Sequence, residues 1–139
     1  MAKIDYNKAI INFEKQATTR TNFSYDPLSN KSYDVSKIEE SKKLYDAYGN
    51  GKDPLYVIGV TNNTTEEFNN YTKKAYLDLQ NAKKTPLLGQ WVSPVSGKRF
   101  KDVSYVDGDI SEDEAIRLKT LFNQESALKV YSNGEWELI

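Results

Sequence analysis

Neither cysteine nor histidine occurs in the 139 residues. The first absence excludes a disulfide scaffold, thiolate catalysis and cysteine-based zinc sites. The second removes the commonest general base and metal ligand near neutral pH, so no group is expected to titrate close to seven. Arginine is scarce, with only Arg20, Arg99 and Arg117. Base reading and bidentate phosphate contacts favour that side chain. The formal net charge of -1 offers no overall positive field for nucleic acid, so nucleic-acid binding ranks last. No apolar run reaches membrane-spanning length, and Met1–Arg20 alternates charged with apolar residues where a signal peptide would carry an apolar centre. A soluble cytoplasmic protein with no membrane partner is the expectation.

What is present describes a folded domain. The length suffices for one domain with a real core. Hydrophobic residues make up 38% and charged ones 28%, a globular but polar balance. Ten tyrosines are many for this length, and they either fill core and rim or form a binding face.

The C-terminal stretch Asp109–Ile139 organises the reading. Ser111 and Glu114 form a capping box, with Ile110 and Ala115 as its hydrophobic staple. Ala115, Leu118, Leu121 and Phe122 recur at helical spacing, and Asn123 suits a left-handed helix end. Ala127–Tyr131 reads as a strand, and Asn133-Gly134 as a two-residue hairpin turn that would pair Tyr131 with Trp136 and Leu128 with Ile139. Ile139 is then expected to be docked.

Upstream, Lys3–Ala17 reads as a helix capped by Asp5, with Tyr6, Ala9, Ile10, Phe13 and Ala17 on one face. Residues 18–33, rich in Asn, Ser and Thr, read as a loop without firm structure. Ser36 with Glu39 makes a second capping box before a helix ending at Tyr48. Pro54–Thr61 is a short β-branched run, hence a central strand. Thr64 with Glu67 opens the longest helix, which runs to about Lys84 with Phe68, Tyr71, Ala75, Leu79 and Ala82 inward. Leu87–Val92 and Lys98–Val106 read as a hairpin. The expected fold is α+β, a single domain over residues 1–139. Its mixed sheet of about five strands is packed by the long central helix and the C-terminal-region helix. Residues 1–51 form a helical N-terminal part, whose two helices add a layer or lid, and residues 54–139 form the α+β core.

Catalytic motifs are absent or broken. Gly89 to Lys98 spaces seven residues before Gly-Lys where a phosphate loop needs four, and Arg99 follows instead of Ser or Thr. Asp107, Asp109, Ser111 and Asp113 alternate like the start of a calcium loop, but Glu112 replaces its glycine and Leu118 its final glutamate. Neither a metal nor a cofactor is expected. Asp53, Asp102, Glu125 and Glu137 are the carboxylates nearest predicted strands. Ser96 lacks both a histidine and the Gly-x-Ser-x-Gly elbow. Together these argue against an enzyme.

Polar residues do gather at element ends: Asn62 and Asn63 after the central strand, Ser104 in the return strand, and Gln124, Glu125 and Ser126 after the last helix. Strand ends and helix termini are where such sheets collect ligands. The structural alternative makes Asn62 and Asn63 turn formers and has Gln124 bond orphan carbonyls of the helix. Tyr56–Thr61 with Asn62-Asn63, Leu88-Gly89, Asp102-Val103-Ser104-Tyr105-Val106 and Glu114-Ala115 through Phe122-Asn123-Gln124-Glu125-Ser126 together resemble a bacterial and phage domain-of-unknown-function family. The resemblance spans about residues 55–139. It departs at Val103, which separates the acid from the serine, and at Asn63, where many members have proline. It implies fold and carries no activity.

Two functions remain. The first is a non-catalytic binding protein using Tyr- and Asn-rich surface on a protein partner, in the host cytoplasm if phage-encoded. The second is a small-molecule or nucleotide binder in which Asn62, Asn63, Ser104, Gln124 and Glu125 line one pocket, with Arg99 as anion partner.

Overall fold

A computed structural model describes residues 4–61, 63–64, 68–93 and 95–139, with side chains at 63–64 and 68–71 outside the described set. The elements in chain order are α1 (Tyr6–Ala17), β1 (Phe23–Asp26), β2 (Lys31–Tyr33), α2 (Ile38–Tyr48), β3 (Leu55–Gly59), β4 (Asn63–Thr64), α3 (Phe68–Asn81), β5 (Leu87–Val92), β6 (Arg99–Asp107), α4 (Glu112–Leu121), β7 (Leu128–Val130) and β8 (Trp136–Leu138). The class is α+β, as expected. The sheet is antiparallel rather than mixed, and larger than five strands: the order is β2-β1-β5-β6-β3-β7-β8, with β4 paired to β6.

Residues 18–33 hold the main surprise. Their polar run builds a hairpin. Asp26 Oδ1 accepts from the Leu28 and Ser29 amides, and Asn30 takes a left-handed φ of 59°. Side-chain bonds of this kind are why Asp and Asn favour turns. The flanking Phe23, Tyr25 and Tyr33 are buried, and β1 joins the sheet beside β5. The N-terminal part therefore supplies two strands as well as its two helices.

The two sheet faces differ. Phe23, Tyr25, Leu88, Val103, Tyr105, Tyr56 and Ile58 alternate onto one face, where Ala9 and Phe13 of α1, Tyr76 and Leu79 of α3 and Ala115 of α4 cover them. α1 thus lies in the main helical layer beside α3, and its predicted face is buried or partly buried throughout. Leu79 faces inward as expected, whereas Ala82 and Leu121 are exposed. α2 sits on the opposite face, with Leu44 against Tyr33, Val57 and Val130. It covers only part of that face.

The caps divide. Asp5 accepts from the Lys8 amide and Ser111 from the Glu114 amide. Glu114 does not return the bond, because Arg117 holds both its oxygens. The Ser36–Glu39 box does not form: α2 begins after Lys37, and Ser36 donates to Asp34. The Thr64–Glu67 box lies outside the described residues.

The C-terminal hairpin is offset by one residue from the expected register. Val130 pairs with Trp136, Lys129 with Glu137 and Leu128 with Leu138, and Ala127 exchanges amide bonds with Ile139. The turn takes three residues: the Gly134 amide donates to Tyr131 O, the Tyr131 amide donates to Glu135 O, and Gly134 alone carries a positive φ, 90°. That is the type I turn with a left-handed glycine, the next commonest hairpin after the two-residue form. Because side chains alternate, the offset sends Leu138 to the face that carries Leu128 and packs Ile139 among the helices.

Candidate functional site

On the α2 side, where the helix stops short, the sheet encloses a cavity of about 460 Å³. Both sheet edges contribute walls, Tyr33 from β2 and Trp136 and Leu138 from β8, so the sheet curls around the space. Val57, Leu128 and Trp91 add apolar surface. Small-molecule sites have this form, roughly 300–1,000 Å³ and mostly apolar with a few placed polar groups.

Two strand glycines admit the polar groups. Gly89 faces Asp102 across β5 and β6, and a Cβ there would lie 2.1 Å from Asp102 Oδ1. Gly59 pairs with Ser104, and a Cβ on it would lie 2.7 Å from Gln124 Oε1. Glycine inside a strand marks such close approaches. Gln124 reaches this position through the end of α4. The Gln124 amide donates to Lys119 O and the Asn123 amide to Thr120 O, with Asn123 left-handed at φ 55°. This Schellman closure turns the chain back over the sheet. Gln124 Nε2 donates to Phe122 O at 3.1 Å, which leaves Oε1 toward Gly59.

Asp102 and Ser104, two residues apart on β6, share the cavity face. Ser104 is only 4% exposed, and no described residue hydrogen-bonds its side chain. The Asp102 carboxylate likewise has no hydrogen bond or ion pair with a described residue. It is half-buried at the cavity wall, and the strands packed around it strip solvation from the carboxyl and push its pKa up to about 6. A half-buried carboxyl, in a chain without histidine, is thus the group that desolvation moves toward neutrality, against the expectation of none.

Among the described lining residues, Asp34, Asp102 and Glu125 are acidic and none is lysine or arginine. Asp34 is occupied by Ser36, at 2.6 Å from its hydroxyl. Asn22, at the rim, accepts from the Val92 amide.

The expected pocket set is partly assembled. Ser104, Gln124 and Glu125 line this one cavity. Asn62 and the Asn63 side chain lie outside the described residues, and the Asn63 backbone pairs with Lys101 in β4. Arg99 is exposed at the start of β6 opposite Val92 and does not line the cavity. Of the other carboxylates, Asp53 accepts from the Ser132 amide and Glu137 lies 3.8 Å from Lys129. Asp107 and Asp109 face Lys84 and Lys52. Sequence reasoning missed Gly59, Gly89, Trp91 and Trp136. The two strand glycines were the available signal.

The tyrosines settle as core and rim. Tyr71 lies outside the described side chains, and none of the other nine is exposed. No family model, curated protein or solved structure matches the chain.

Proposed function

We propose that the chain is a small-molecule-binding domain whose ligand occupies the cavity held in the curl of the sheet, on the face that α2 leaves uncovered. The supporting observation is the convergence of Asp102, Ser104 and Gln124 Oε1, each with hydrogen-bonding capacity that no described residue uses, in one mostly apolar space. Unmet capacity of this kind is costly when buried without a partner, and a ligand's polar groups would meet it. The role is binding rather than turnover, since Asp102 has no orienting partner among the described residues and a carboxyl so placed makes a poor catalytic group. Five of the ten tyrosines, Tyr25, Tyr33, Tyr56, Tyr76 and Tyr105, are buried, so a protein-binding surface would draw on the partly exposed rings such as Tyr45 and Tyr131.

A thermal-shift screen of small organic molecules tests the reading, because a ligand of the native state must raise the melting midpoint. Hits are expected in the wild type and lost in Ser104→Phe, which fills the cavity from its floor. Hits that persist in that variant would place the ligand elsewhere.

A further inference from the structure

The charge in the cavity identifies the ligand class, given the binding role above. Asp102 is a carboxylate with no counter-charge among the described residues, over a glycine cleared to receive it. Lysine and arginine are absent from the described lining, so an anionic ligand would find repulsion and no partner. Ser104, nearly fully buried beside it, adds a hydroxyl with both lone pairs unclaimed. Trp91 and Trp136 line the same space, and indole faces attract ammonium groups. We propose that the cavity takes a small organic cation, an ammonium on an apolar or aromatic body, with the ammonium seated against Asp102 and Ser104 and the body among Trp136, Leu128 and Leu138.

The cation supplies the counter-charge that folding leaves out, so binding requires the ionised carboxylate. Affinity falls as pH drops through the upward-shifted titration of Asp102. The other titratable groups bordering the cavity are Tyr33, Asp34 and Glu125. Protonating either carboxylate acts in the same direction, so the pH profile alone does not assign the effect to Asp102.

The test titrates the full chain with phenethylamine and with its neutral counterpart 2-phenylethanol, followed by backbone amide shifts in NMR spectra. The expected result is shifts at Gly59, Gly89 and Ser104. The amine should bind about tenfold tighter at pH 7.5, as a charge-assisted hydrogen bond gives. The ratio should fall toward one at pH 5 and toward one in Asp102→Asn at both pH values. Equal affinity of the two probes in the wild type would overturn the cationic assignment while leaving the binding cavity intact. Failure of both probes to move the cavity amides would overturn the cavity reading with it. A preference retained in Asp102→Asn would move the charge recognition to Asp34 or Glu125 and overturn the role given to Asp102. If that variant does not fold, Asp102→Ser takes its place, and a preference for the amine retained in it overturns the proposal.

Discussion

Asp102 and Gly89 sit opposite one another on neighbouring strands, and each accounts for the other's residue type. Any side chain at 89 would meet the Asp102 carboxylate. Gly89→Ala should therefore destabilise the fold by about 1–3 kcal/mol, the usual cost of overpacking. The combination Gly89→Ala with Asp102→Ala should recover most of that loss, as coupling of neighbours requires. Urea titrations of the single and double variants read both quantities, and equal losses in the two would deny the clash. The raised Asp102 pKa carries its own consequence. The unfolded chain has its carboxyl near the ordinary value of 3.8, whereas the folded chain holds it at about 6. Protonated Asp102 is thus favoured by folding. Its stabilising effect is complete below the unfolded value and is lost as pH rises through the folded one. Asp102→Asn removes this dependence. It should match the wild type below pH 4 and exceed it at pH 7.5 by about 2–3 kcal/mol, about 1.4 kcal/mol for each pH unit between the two values. Denaturant midpoints at the two pH values measure the difference. Equal dependence on pH in both proteins would show that the carboxyl is well solvated.

Elements with strong periodicity were legible in the sequence, and those fixed by turn chemistry were less so. The α1 face, the α4 cap at Ser111 and the left-handed Asn123 follow from spacing and residue type. So does the β5 span, Leu87–Val92. The β1–β2 hairpin escaped because its strands are only four and three residues long, and the polar turn between them resembles a loop. The C-terminal register escaped for a subtler reason. Asn-Gly fits both the two-residue turn and the three-residue turn with a left-handed glycine, and local sequence does not choose between them. Packing provides the choice: Gly134 abuts α2, and a Cβ there would lie 2.7 Å from the Ile38 carbonyl oxygen. Gly134→Ala meets both that contact and a φ of 90°. It should cost about 2 kcal/mol, within the range for a strained non-glycine conformation. A loss below a few tenths in chemical denaturation would mean that the hairpin shifts away from α2 freely.

At the scale of the whole molecule, the sequence marked four of the cavity's polar residues: Ser104 in the return strand, and Gln124, Glu125 and Ser126 after the last helix. It could not show the curl of the sheet that brings β2 and β8 around one space, because that depends on contacts far apart in the chain. Nor could it show that Asp102 would face the cavity with no counter-charge among the described residues. These features together make the cavity, and helices on the opposite face hold the sheet that bounds it. The most direct measurement is a crystal soaked with 4-bromophenethylamine, whose bromine locates the molecule by anomalous scattering. The expected map places the bromine among Trp136, Leu128 and Leu138, with the ammonium nitrogen within hydrogen-bonding distance of Asp102. A cavity closed by the β7–β8 hairpin, or bromine found only on the helical side of the sheet, would contradict the account.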